Sequence, residues 1–168
     1  MRWFWIDRFT EFISGERATA IKNVSRAEPQ LTHYLPGLPM HPSSLVVEGI
    51  AQTAGLLVAQ TSDFKERVVL AKLSKAVFER CALPGEQLRY ECIAERIDAD
   101  GANCHGKAFI GEEQIAEIDM VFAHLDERFQ DGSLFEPEDF LQLLKVMDMF
   151  KVGVHPDGTP IKIPDDLV

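Results

Sequence analysis

The order of elements along this chain predicts an α+β fold: a curved antiparallel β-sheet wrapped around one central buried helix, with a short helical appendage at the C-terminal end. Three observations predict it. Residues 43–60 are apolar on nearly every side at helical spacing, and a helix apolar all round is a buried one. From residue 67 to residue 124 the hydrophobic period falls to two, in successive runs broken by turn residues, as an antiparallel meander requires. Those strands follow one another without intervening helices, which argues against a parallel α/β sheet.

Taken in chain order, residues 6–13 carry aromatic and β-branched side chains, Ser14-Gly15-Glu16 supplies a turn, and residues 17–25 complete a hairpin. Residues 26–42 hold Pro29, Pro36, Gly37, Pro39 and Pro42, a density that predicts a stiff loop with no regular element. Pro42 then precedes the central helix, and Ser43 or Ser44 is placed to cap its first N–H groups. Gly49 and Gly55 leave room on this helix for close approach of a sheet or second helix. Strands are expected over 67–80, 87–97, 102–110 and 114–124. Leu88, Tyr90 and Cys92 face one way on the second of these, and Ile118, Met120 and Phe122 do so on the last. Pro137, with Glu136, Glu138 and Asp139 suited to the positive end of the dipole, opens a short amphipathic helix bearing Phe140, Leu144 and Met147 on one face. Gly153 and Pro156 end it, and the acidic tail beyond is expected to be mobile. The division expected is therefore a main domain over 1–126 and a C-terminal helix and acidic tail over 127–168, packed on that domain or trailing it.

At 168 residues, 46% hydrophobic and 26% charged, the chain suits one domain with a proper core. No apolar run approaches the roughly 20 residues that span a bilayer. The apolar start reaches Asp7 and Arg8 too soon for a signal peptide, so a cytoplasmic protein with no membrane association is expected. Cys81, Cys92 and Cys104 have no metal-ligand spacing and read as buried, reduced thiols. The net charge of −10 argues against nucleic acid as a partner. It is unevenly spread: Lys65, Arg67, Lys72, Lys75 and Arg80 form a basic band, whereas residues 126–168 hold ten acidic residues against four basic ones. The band reads either as a docking site for an anionic partner or as the solvated face of a strand.

Glu48 stands out chemically. A carboxylate between Val47 and Ile50, on a helix otherwise committed to burial, must be paired or hydrogen-bonded, or else reach solvent at the helix's open end. Gln52, four residues on, shares its face and can hold it; burial would favour the neutral acid, a proton donor. His33 and His41 lie just before the helix, whose free N–H groups favour a developing oxyanion. A histidine base and a carboxylic acid flanking a polarised thioester can together remove water from a 3-hydroxyacyl group.

Several segments carry a resemblance: Trp5-Ile-Asp-Arg-Phe, Gly15-Glu-Arg, Ala20-Ile-Lys-Asn-Val-Ser, Ala27-Glu-Pro, Pro36-Gly-Leu-Pro-Met-His-Pro, Leu45-Val-Val-Glu-Gly-Ile-Ala-Gln-Thr-Ala-Gly, Lys75-Ala-Val-Phe and Pro84-Gly-Glu-Gln-Leu. Together, from Trp5 to about Asp126, they resemble the 3-hydroxyacyl-acyl-carrier-protein dehydratases of bacterial fatty acid synthesis. The resemblance implies the hot-dog fold and a homodimer, which can assemble further into a trimer of dimers. It also implies active sites at the dimer interface, with a loop histidine from one subunit and a helix glutamate, here Glu48, from the other. Gln52 becomes its helix neighbour, and Pro42, Ser43, Ser44 and His41 line the substrate. The backbone N–H of Ser43, where the family has glycine, is left to hold the thioester carbonyl. The substrate implied is a thioester of acyl carrier protein or coenzyme A; Lys72, Lys75 and Arg80 would meet an acidic carrier, and an apolar tunnel between helix and sheet would take the acyl chain. Dehydration moves only protons and water, so no cofactor and no metal is expected.

The chain departs from the family where the base should be. Tyr34 sits fourteen residues before Glu48, the family's histidine position, with Leu35 after it and His33 one residue early. A phenol titrating near 10 is a poor base at neutral pH. Three readings follow: a one-residue shift that makes His33 the base, a modified thioester reaction using Tyr34 or His41, and a non-catalytic relative that binds acyl chains or serves beside an active paralogue.

Overall fold

The computed structural model describes residues 4–33, 37–125 and 137–164, without the side chains of Thr32, His33 and Pro137. The opening hairpin is β1 (Arg8–Ile13) and β2 (Arg17–Asn23). A five-residue helix α1 (Pro29–His33) follows, then the central helix α2 (Ser43–Gln60). The meander comprises β3 (Val68–Phe78), β4 (Gln87–Asp98), β5 (Gly101–Ile110) and β6 (Glu113–His124). The C-terminal segment adds α3 (Pro137–Val146), α4 (Met149–Val152) and a two-residue strand β7 (Gly153–Val154).

The strands form one sheet in the order β3-β6-β5-β4-β2-β1-β7. All neighbours are antiparallel except β1 and β7. Register shifts interrupt β1/β2, β3/β6, β4/β5 and β5/β6, and such bulges bend and twist a sheet so that it can curl around a helix. The period-two reading of β4 and β6 holds: Leu88, Tyr90, Cys92, Ile118, Met120 and Phe122 all point into the core against Ile50, Ala54, Leu57 and Val58 of α2. The helix can sit this close because Gly49 has no side chain; a Cβ there would lie 2.5 Å from the Tyr90 ring. Cys92 and Cys104 are buried and all three cysteines are free thiols. Burial raises the Cys92 pKa and pushes that of Cys104 up to about 12.

Two expectations need correction. The 26–42 stretch contains α1, which begins at Pro29, the one helical position where a proline's missing N–H costs nothing. Neither serine caps α2: Pro42 is the N-cap, Ser43 already belongs to the helix, and no side-chain cap hydrogen bond is made among the described residues. Of the two placements left open for the C-terminal segment, its described residues take the packed one. Leu141, Leu144, Met147, Met149 and Ile161 are buried. Met147 C=O accepts the Phe9 N–H at 2.8 Å, and Val154 C=O accepts that of Ser14 at 2.9 Å. Phe140 meets Phe64, just beyond α2, edge to face. No described helix is long and apolar enough to cross a membrane.

At the sheet's other edge, β3 is different. All eleven of its residues are half-buried or exposed, including Leu70, Leu73, Val77 and Phe78, and its outer side carries no strand among the described residues.

Candidate active site

Glu48 lies in the second turn of α2, exposed in the single chain. Its Oε1 accepts a hydrogen bond from Gln52 Nε2 at 2.9 Å, and Gln52 Oε1 in turn accepts the Trp5 backbone N–H at 2.8 Å. The i,i+4 spacing thus does what the sequence suggested, and the N-terminal segment adds a third member that fixes the amide's orientation. The isolated chain displays both alternatives left open for Glu48: it is hydrogen-bonded by Gln52 and it reaches solvent.

One turn earlier, the entry to α2 is held from beneath. His41 pairs with Ala82 as an isolated bridge, its N–H donating to the Ala82 carbonyl at 2.7 Å. Pro42 is buried, Ser43 half-buried and Ser44 exposed. Ser43 Oγ lies 3.9 Å from Cys81 Sγ. With no side-chain cap on this turn among the described residues, its backbone N–H groups stand at the positive end of the dipole, where a carbonyl oxygen gains most from them.

The His41 ring is fully buried and faces Trp5, with centroids 5.7 Å apart. Burial lowers its pKa; nearby Glu28 opposes this and Lys22 reinforces it. Glu28 was not singled out by sequence as a site residue, yet it is a hub. Its carboxylate takes Lys22 Nζ at 2.8 Å, the Ser25 N–H at 3.0 Å and the Gln30 amide. Lys22 also lies 3.7 Å from Asp7. The only sequence signal for this hub was Glu28's place just before Pro29, at the entry to the loop.

Two of the expected catalytic residues lie outside the described side chains. His33 is the last residue of α1 and its side chain is not described, while Tyr34 lies outside the described residues. In the basic band, Lys75 is bonded to Glu117 at 2.8 Å, and Arg80 to Glu86 and Glu113, each at 2.9 Å. Lys72, exposed on β3, makes no ion pair among the described residues. The described residues contain no cluster of three or more side chains suited to a metal ion.

A helix laid in a curled antiparallel sheet, with one carboxylate on its open side, defines a hot-dog protein. Solved structures agree on the fold. One chain of the dehydratase heterocomplex ApeI:P from Xenorhabdus doucetiae aligns over 83% of this chain and 88% of its own, at TM-score 0.61 and 12% identity. A Streptococcus mutans protein bound to acetyl CoA aligns over 74% and 93%, at TM-score 0.60 and 13% identity. Sequence goes further: residues 3–119 match the family described as FabA-like domain. The 3-hydroxyacyl-acyl-carrier-protein dehydratase FabZ of Symbiobacterium thermophilum is 37% identical over 122 residues, 72% of this chain and 86% of the relative. Its namesake from Pelotomaculum thermopropionicum is 32% identical over 119 residues, 70% and 85% respectively. This chain belongs to the 3-hydroxyacyl-acyl-carrier-protein dehydratase family.

Proposed function

We propose that this protein removes water from a 3-hydroxyacyl thioester on acyl carrier protein, giving the trans-2-enoyl thioester in fatty acid biosynthesis. The observation that carries the reading is the Glu48–Gln52 pair on the open side of α2, one turn beyond an uncapped helix start, in a chain of this family. The thioester carbonyl sits at the first N–H groups of α2, that of Ser43 foremost, which polarise it and acidify C2. His33 takes the C2 proton, the C2–H electron pair becomes the C2=C3 bond, and the 3-hydroxyl leaves with a proton from Glu48 as water. Gln52 holds the Glu48 carboxyl, and Pro42 and Ser44 shape the approach. No cofactor takes part in these steps.

A homodimer supports the same reading. An eleven-residue edge strand presenting Leu70, Leu73, Val77 and Phe78 is an aggregation hazard unless covered, and a second copy pairing along β3 covers it. The subunits then share each site, with His33 from one and Glu48 from the other. Carrier docking rests on Lys72, because Lys75 and Arg80 already hold carboxylates of their own chain.

The test is turnover of 3-hydroxyacyl thioesters on both carriers, followed as the conjugated enoyl product, for the parent and for His33→Ala, Tyr34→Phe and Glu48→Gln. Losing His33 or Glu48 is expected to cost about 10²–10⁴-fold, while Tyr34→Phe stays within a few-fold of the parent. Tyr34 at the family's histidine position favours a second reading, a non-catalytic acyl-binding subunit. A parent that binds an acyl thioester but turns over neither carrier's would support it instead.

A further inference from the structure

Glu28 stands just before α1 and His41 just before α2, and the two side chains approach each other between these helix starts. Glu28 Oε2 lies 4.0 Å from His41 Nδ1. The Glu28 side is anchored three times over: to β2 through Lys22, to the preceding turn through the Ser25 N–H, and to α1 through Gln30. The Glu28 carbonyl also accepts the N–H of Leu31, whose side chain enters the core. The His41 side is anchored by the bridge to Ala82 and by the Trp5 ring. The imidazole itself is wholly buried, and neither ring nitrogen has a hydrogen-bond partner among the described residues. A buried polar ring left so is costly to keep.

We propose that the neutral His41 imidazole, packed against Trp5 with Glu28 beside it, is a buried clasp that positions α1 and the first turn of α2 by packing rather than by a bond to Glu28. His41 touches no substrate in this arrangement. It acts through the loop that carries His33 and through Pro42 and Ser43, so its bearing on catalysis rests on the dehydratase reading above; the clasp itself does not.

The charged groups facing the ring are Glu28, before α1, and Lys22 of β2, with Asp7 behind Lys22. Burial dominates, so the ring binds a proton less readily when the clasp is closed than when it is open and free near the ordinary value of 6.5. The closed form is therefore stabilised above about pH 6.5 and loses that stability as pH falls toward the depressed value, by at most about tenfold in the closed-to-open ratio per pH unit.

Hydrogen exchange between pH 7.5 and 5.0, corrected for the intrinsic rate, tests this on the full-length parent, His41→Gln and Glu28→Gln. In the parent, amides of residues 28–33 and 43–46 should lose protection progressively below about pH 6.5, while β4–β6 stay unchanged. In His41→Gln that pH dependence should vanish. Parent protection flat with pH would overturn the clasp, as would a slope that survives in His41→Gln. If His41→Gln does not fold, imidazole NMR of the parent decides: His41 titrating at or above the ordinary value overturns the proposal, and a depressed titration that moves with Glu28→Gln supports it. Where the parent turns over substrate, Glu28→Gln should lower kcat about tenfold and leave KM within about twofold. A parent without turnover would sink the dehydratase reading alone, since exchange still decides the clasp.

Discussion

Gly49→Ala adds one methyl group at the tightest contact between α2 and the sheet. The new Cβ would stand 2.5 Å from Cε2 and Cζ of Tyr90 and 2.6 Å from its hydroxyl oxygen, about 1 Å inside ordinary contact. The ring cannot swing aside, because Tyr90 is fully buried between α2 and its neighbours in the sheet. Overpacking of this kind costs about 1–3 kcal/mol, and a fixed aromatic ring belongs at the upper end. Replacing glycine inside a helix returns about 1 kcal/mol. The net is a loss of about 1–2 kcal/mol, or roughly 2–8 °C in Tm for a chain of this size. Thermal melts at matched protein concentration measure it. The double variant Gly49→Ala/Tyr90→Leu should recover part of the loss, giving a coupling of about 1 kcal/mol. A Gly49→Ala protein melting at or above the parent, or simple additivity in the double variant, would refute the reasoning.

Tyr90 supports a second, opposite prediction. Its hydroxyl is buried with no hydrogen-bond partner among the described residues, so Tyr90→Phe should be neutral or stabilising by up to about 1 kcal/mol; urea denaturation showing a loss beyond 1 kcal/mol contradicts it. Ending the chain at residue 125 removes Leu141, Leu144, Met147, Met149 and Ile161 from the core. At about 1.5–3 kcal/mol each that exceeds much of a typical domain's stability, so circular dichroism should show an unfolded or aggregated product, and a folded one would contradict the packing described. Lys72→Glu should raise KM for the carrier-linked substrate several-fold at low salt and leave the coenzyme A thioester unaffected, and equal KM values on both carriers would remove Lys72 from docking.

What could be read in advance follows from where the information lies. The bounds of α2 were legible because Pro42 fixes its start and its apolar residues recur at helical spacing as far as Val58. The alternation on β4 and β6 was legible because each strand buries one face only. Helix α1 was hidden by the prolines around it, since Pro29 reads equally as a breaker and as a first helical residue. The capping role given to Ser43 and Ser44 failed because Pro42, with φ −58° and ψ 136°, already makes the turn into the helix. The C-terminal packing depends on a parallel pairing of Gly153 with Phe12, far apart in sequence, and no local period encodes that. Glu48 was marked by its neighbours, but its exposure depends on what covers α2. Glu28 was missed as a site residue because its partners come from β2 and from the far end of the loop, a coincidence that only the folded chain displays.

The most direct measurement mixes two damaged proteins. His33→Ala and Glu48→Gln are each assayed alone for 3-hydroxyacyl thioester dehydration, then unfolded together in equal amounts, refolded and assayed again. If His33 of one subunit and Glu48 of the other build each site, random pairing makes half the dimers mixed, each with one intact site, and activity should return to about a quarter of the refolded parent's. Refolding that restores the parent but leaves the mixture as inactive as its components would contradict the shared site.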